Sequence, residues 1–238
     1  MPMNIVLVYA MQAEADPFLA RCSAVEVAMP GPSWLPFRLF RCAHDRHEVH
    51  ALVSGVDARF GVDNIGLEAA TLMAYVAIEQ WRPALMISCG TAGGFAARGA
   101  QIGTVYVGDT FLFHDRHVPL PGFAQSGLSK TRTYDAAALA EALGLTRIAV
   151  SSGSSLRRSD DDIAVMHAHD VHAKEMEVAA LAWVCQLAGV PLLAIKSVTN
   201  LLDHDSRSED QFRTHFPVAV AALARETERV LATLGAAA

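Results

Sequence analysis

Five polar stretches each follow an apolar run. Ala10-Met11-Gln12-Ala13-Glu14 follows the run at 5–9, and Ser88-Cys89-Gly90-Thr91-Ala92-Gly93-Gly94-Phe95 follows the run at 85–87. Ser151-Ser152-Gly153-Ser154-Ser155 follows 148–150, Lys174-Glu175-Met176-Glu177 comes shortly after Val171, and Lys196-Ser197-Val198-Thr199-Asn200 follows 192–195. In layered α/β sheets ligands bind beyond the carboxyl ends of the strands. If these runs are strands of one sheet, two carboxylates, a cation, a hydroxyl and an amide converge. Such a set suits a polyhydroxylated substrate. One carboxylate can accept two sugar hydroxyls, and another can act as a base toward water.

Each residue also has an ordinary reading. Glu14 suits the first turn of a helix, where the dipole favours a carboxylate. The CGTAGG segment suits a tight turn, and it lacks the Lys-Ser/Thr of a phosphate loop. Glu175 and Glu177 point the same way in an extended segment and can simply be solvated. Lys196 can snorkel from a strand edge, and Asn200 can form a turn. Only the combination argues for a site.

The elements that must position these groups alternate. Strands are expected at 5–9, 49–53, 85–88, 105–107, 148–151 and 192–195, and continuous apolar runs of this kind belong to sheets covered on both faces. Helices are expected at 65–80, at 135–143 with Asp135 as N-cap and Gly144 as stop, at 177–187 before Gly189, and at 208–234 with Pro217 as a kink point. Alternation of this kind predicts an α/β layered domain, one domain over residues 1–238. The Pro-, Gly- and Ser-rich segment 119–133 is the longest expected loop, and loops of that length are commonly functional.

Composition excludes several classes. Hydrophobic residues make up 52% and charged residues 18% of 238, enough for a core and against global disorder. No apolar run reaches the ~18 residues of a membrane span. The opening MPMNIVLVYAMQAEADPF has no basic n-region and no small-residue cleavage site, and is expected to form a first strand. Net charge is -6 and the basic residues form no long cluster, so no nucleic-acid partner is expected. Four scattered cysteines without a CxxC pair fit reduced thiols in a cytoplasmic protein.

The combination AMQAEADPF, SCGTAGGF, GDTFLFHDRHVP, VSSGSSL and KEMEVAALAWVCQLAGVPLLAIKSVTN resembles the 5'-methylthioadenosine/S-adenosylhomocysteine nucleosidases of the purine nucleoside phosphorylase superfamily. FHDRHVP and the lysine of AIKSVT are most similar to the plant-type branch. The resemblance runs from residue 4 to about 230 and implies a three-layer αβα sandwich around a twisted, partly barrel-like mixed sheet. It implies a homodimer and a nucleoside substrate, with no metal and no organic cofactor. The implied reaction is hydrolysis of an N-glycosidic bond to adenine and a thioribose.

The resemblance also implies roles. Glu14 matches the glutamate that deprotonates the attacking water, Lys196 a basic residue beside that water, and Thr91 a position near water and ribose. Met176 matches the methionine under the ribose, and Glu177 the acceptor of its 2' and 3' hydroxyls, with Glu175 beside them. Leu156 and the backbone around Arg157 match the wall and edge of the base, and Thr199 a hydroxyl residue beside the purine. Phe113, His114 and Val118 lie in a segment that shapes the site or covers it from a second subunit. Hexameric phosphorylases carry a phosphate-clamping arginine just ahead of the glycine segment; Ser88 stands there instead. Arginine favours bidentate phosphate binding, so water is the expected nucleophile.

Two positions depart from the pattern. The family has an aspartic acid, donating a proton to N7 of the departing adenine, where this chain has Asn200. An amide has no such proton to give, and general-acid catalysis contributes about 10²–10⁴-fold. Three readings follow: a nucleosidase on 6-aminopurines, slow or aided by another acid such as Asp203; a preference for 6-oxopurine nucleosides of the inosine or futalosine type; or a binding module without hydrolysis. Ser154 replaces an acid in the plant-type SGDSL. At the far end of the substrate, Phe123, Phe212 or Phe216 are candidate wall residues. A competing class is metal binding by His167, His169 and His172 with His114 and His117. Read as extended, HAHDVH puts His167 and His169 on one side, but metal sites need three or four converging ligands.

Overall fold

The computed structural model describes residues 2–204 and 207–235. Among the described residues there are eleven strands: β1 (Asn4–Tyr9), β2 (Val25–Val27), β3 (Arg38–Cys42), β4 (Glu48–Val53), β5 (Val56–Asp57), β6 (Val62–Asp63), β7 (Leu85–Gly94), β8 (Val105–Phe113), β9 (Thr146–Ser152), β10 (Val171–Glu175) and β11 (Leu192–Leu201). Seven helices accompany them: α1 (Gln12–Arg21), α2 (Leu67–Trp81), α3 (Phe123–Leu128), α4 (Ala137–Leu143), α5 (Asp160–Ala168), α6 (Val178–Ala188) and α7 (Ser208–Thr233). Nine strands form one mixed sheet in the order β10-β9-β8-β11-β7-β1-β4-β3-β2. β10 also pairs with β7, antiparallel, through Ala173 with Gly94 and Lys174 with Gly93. That second pairing closes β7, β11, β8, β9 and β10 into a small barrel, while β1, β4, β3 and β2 remain an open sheet.

The alternation of each strand explains the layers. Val6 and Val8 of β1 face one side, packing with Met73 and Ala77 of α2 and Leu181 and Cys185 of α6. Ile5, Leu7 and Tyr9 face the other, with Phe18 of α1, Leu139 of α4 and Leu223 of α7. Both faces of the sheet are therefore apolar and covered, which makes the fold a three-layer αβα sandwich.

Several expected boundaries are corrected. The glycine segment after Ser88 is not a turn: β7 continues through it to Gly94, and none of Gly90, Gly93 and Gly94 has a positive φ. β11 likewise continues through its polar residues to Leu201, and β8 runs past Gly108-Asp109 to Phe113. Strands were expected to end where polarity begins, but a closed barrel pairs the backbone of polar residues as well. The HAHDVH segment is extended only at Val171-His172, where β10 starts: α5 carries His167 in its last turn, behind the Ser159 capping box. The 119–133 loop contains α3. Asp135 lies one residue before the N-cap position, Ala136, although its Oδ1 accepts from the Ala137 amide at 3.1 Å. Pro217 lies inside α7 without ending it.

Candidate active site

Glu14 sits in the first turn of α1, which follows β1 after only two residues. Its Oε1 accepts from both the backbone amide and the hydroxyl of Thr91, each at 2.7 Å. Thr91 lies midway along β7, so the carboxylate is tied to the centre of the sheet. Burial raises the Glu14 pKa; the Thr91 hydroxyl and Lys196 pull it down without cancelling the effect. The group is thus a carboxylate with increased affinity for a proton.

Lys196 pairs in register with Gly90 across β11 and β7. Its Nζ donates to Ser88 Oγ at 3.0 Å and lies 3.0 Å from Glu175 Oε2. Burial opposes its charge, but Glu175, Glu177 and Glu14 outweigh burial and raise its pKa. The same exchange acts on Glu175. Burial pushes its pKa up, while Lys196 and the Ser152 hydroxyl more than reverse that, leaving it lowered. Glu175 Oε1 also accepts from the Ser152 hydroxyl and from the amides of Glu177 and Val178, the latter two at 3.0 Å. Glu175 is therefore an ionised partner of Lys196 at the start of α6.

Glu177 turns elsewhere. β10 ends at Glu175, so the two glutamates do not share a strand face; Glu177 is the residue before α6. Its Oε1 accepts from the Gly66 amide at 2.8 Å and its Oε2 from the Met176 amide at 3.3 Å. Burial, then the neighbouring Glu175, push its pKa up to about 8. Between Glu14, Ser88, Gly90, Thr91, Glu177 and Lys196 lies a cavity of about 10 Å³. That is roughly the room one water occupies.

A larger cavity of about 200 Å³ opens beside it. Glu14, Thr91, Leu156, Glu175, Met176, Glu177, Thr199 and Asn200 all line it, together with Met11, Ile65, Lys174, Leu202 and Phe212. Thr199 Oγ1 stands 3.0 Å from Asn200 Oδ1 and 3.3 Å from the Ala92 carbonyl. Asn200 Nδ2 lies over Gly93: a Cβ there would approach it to 2.8 Å and Leu202 to 2.7 Å. The glycines of CGTAGG provide clearance for side chains, not a turn.

Other expected residues fall outside. Phe113 is wholly buried beneath Arg116 and borders a separate cavity with His114 and Val118. The Arg157 side chain is exposed and reaches Glu209 at 3.5 Å. Asp203 does not line the cavity; its carboxylate accepts from the Ala96 and Ala97 amides at 2.7 and 2.8 Å. Burial raises its pKa, but those amide bonds win and lower it, so it holds no proton to give near neutrality. Ser154 donates its amide to Asp115 away from the cavity. Of the three phenylalanines considered, Phe212 enters, whereas Phe123 and Phe216 do not. Among the described residues no three His, Cys, Asp or Glu side chains are placed to hold a metal; His167 packs against Phe95 instead, the rings tilted at 41°. Among the described residues no helix is long and apolar enough to cross a membrane. Lys174 received no role from the sequence, since its neighbours Glu175 and Glu177 carried the signal.

Residues 4–232 match the family described as the phosphorylase superfamily. The chain is 33% identical over 229 residues to a 5'-methylthioadenosine nucleosidase of Arabidopsis thaliana, covering 96% of this chain and 86% of that one. It is 34% identical to a 5'-methylthioadenosine/S-adenosylhomocysteine nucleosidase of the same plant, covering 96% and 90%. The apo structure of the Arabidopsis thaliana 5'-methylthioadenosine nucleosidase superimposes with a TM-score of 0.96 at 32% identity, over 100% of this chain and 98% of that one.

Proposed function

This chain belongs to the 5'-methylthioadenosine/S-adenosylhomocysteine nucleosidase family of the phosphorylase superfamily, and on that footing we propose that it hydrolyses the N-glycosidic bond of 5'-methylthioadenosine. S-adenosylhomocysteine is the second substrate of the proposal, and adenine the released base. The observation that carries it is Glu14: a buried carboxylate of raised proton affinity, fixed by Thr91 beside a water-sized cavity that Lys196 also lines.

In this mechanism a water in the small cavity gives its proton to Glu14 as its oxygen bonds to C1' of the ribose. Lys196 stabilises the hydroxide character that develops. Glu177, once ionised, accepts the 2' and 3' hydroxyls, and Met176 packs against the sugar. Leu156, Thr199 and Asn200 enclose the purine. No arginine lines either cavity, which supports water over phosphate as nucleophile.

A second reading rests on the Asn200 amide. With Oδ1 accepting from Thr199 and Nδ2 over Gly93, another residue of the cavity lining, its NH₂ suits the N7 and O6 acceptors of a 6-oxopurine. The proposal also includes assembly of two copies, supported by the exposed apolar side chains of Phe60, Ile65, Tyr75 and Trp183. A cytoplasmic setting is supported by four free thiols among the described residues.

The test is release of free base, without phosphate, from methylthioadenosine, S-adenosylhomocysteine, adenosine, inosine and futalosine. Adenine from the first two supports the proposal. Hypoxanthine alone supports the 6-oxopurine reading, and no base from any of them overturns both.

A further inference from the structure

Lys174 is a buried cation that neither the sequence nor the proposed mechanism uses. Across the barrel seam it pairs with Gly93 from the β10 side, while Asn200 pairs with the same Gly93 from the β11 side. Residues in register on neighbouring strands stand on one face of a sheet. Both side chains line the larger cavity accordingly, and the Asn200 amide leans over Gly93 toward the Lys174 strand. The Lys174 ammonium donates to the Ser155 carbonyl and, at 3.4 Å, to the Leu156 carbonyl. An ammonium has three N–H groups, so the two carbonyls leave one untaken, and Leu156, one of the two acceptors, itself lines the cavity.

We propose that Lys174 is a catalytic residue, the cation that meets the departing purine and supplies the proton that Asn200 lacks. This rests on the nucleosidase reading above. As the C1'–N9 bond breaks, its electron pair goes to the purine, and a proton passes from the Lys174 ammonium to a purine nitrogen. The water oxygen bonds to C1' and its proton goes to Glu14. Glu14 then releases that proton to solvent and Lys174 takes one back, so one water is consumed per nucleoside. Burial lowers the Lys174 pKa, which makes its proton easier to transfer; Asp162, Glu175 and Asp115 oppose that shift, and Arg158 adds to it. His114 also faces the ammonium, and its own pKa is pushed down to about 4 by burial and by Lys174, so it stays neutral.

A double-mutant cycle tests the assignment. Turnover of methylthioadenosine is measured for wild type, Lys174→Met, Asn200→Asp and the double variant. We expect Lys174→Met to lower kcat by about 10²-fold or more with little change in KM, and to cost less than about tenfold in the Asn200→Asp background, where a carboxylic acid restores the proton. Equal losses in both backgrounds, or a loss confined to KM, would show that Lys174 only holds the 155–156 wall and would overturn the proposal. If thermal melts show Lys174→Met unfolded, Lys174→Arg carries the test: it keeps the charge but does not release a proton, so kcat is expected to fall by about 10²-fold and to recover in the Asn200→Asp background, and an undiminished kcat overturns the idea. If wild type releases no base, the nucleosidase reading fails separately. Lys174 is then read from calorimetric binding of free adenine, expected about tenfold weaker in Lys174→Met; equal affinity overturns it.

Discussion

Glu14 and Lys196 converge on one point above Gly90. Both carboxylate oxygens of Glu14 lie 3.3 Å, and the ammonium of Lys196 3.4 Å, from where a Cβ on Gly90 would sit. The base and the cation of the proposed reaction thus share a space that only glycine leaves open, reached from a helix on one side and a strand on the other.

Glu14→Gln removes the base but keeps an acceptor for Thr91. Hydrolysis is expected to fall by about 10²–10⁴-fold with KM nearly unchanged, read by single-turnover release of adenine. The raised Glu14 pKa sets the acid side of the wild-type profile. Activity requires the ionised form, so kcat/KM declines as pH drops through that pKa, and Glu14→Gln loses this limb.

Gly90→Ala places a methyl group against Glu14 and Lys196. Overpacking of this kind costs about 1–3 kcal/mol. The expected result is a lowered Tm together with a larger loss of kcat than of KM. An unchanged kcat would mean that the two groups can separate without consequence.

Lys196→Met leaves Glu175 buried without its cation. Breaking a buried pair from one side costs about 3–5 kcal/mol, read as a shift of the urea midpoint. Lys196→Met combined with Glu175→Gln recovers much of that stability but not the activity, because the cation beside the water remains absent.

Glu177 binds a proton more tightly in the folded chain than in the unfolded one. Its contribution to stability is present below the unfolded carboxylate range and is lost as pH rises toward about 8. Glu177→Gln is expected to lack this decline in a Tm series from pH 5 to about 9. Substrate binding runs the other way. The ionised form accepts the sugar hydroxyls, so wild-type KM falls as pH rises through the same interval.

The site was more legible in the sequence than the elements that carry it. Glu14, Thr91, Met176, Glu177, Lys196 and Asn200 stand after apolar runs, and they do line connected cavities. The apolar runs are shorter than the strands that contain them, because β7 and β11 stay extended through residues whose polarity marks a strand end in an ordinary open sheet. β2 and β3 gave no clear apolar run to read; β2 has only three residues, two of them exposed. The helix at 160–168 was hidden by its histidines, although its Ser159 and Asp162 form a capping box. Lys174 is hidden because only the second pairing of β10 brings it level with Asn200 across Gly93, and sequence spacing carries no trace of that pairing.

Closing half of the sheet on itself also decides how copies of this chain can meet. A row of unpaired amides and carbonyls invites strand addition and uncontrolled growth. At one end of the sheet that row is sealed where β10 meets β7. At the other it shrinks to β2, where Glu26 is clasped by Arg38 at 2.6 Å. Fibril-like stacking therefore has almost no template on the main sheet, and contacts between copies are left to helix faces and loops, where side chains rather than backbone set the partner.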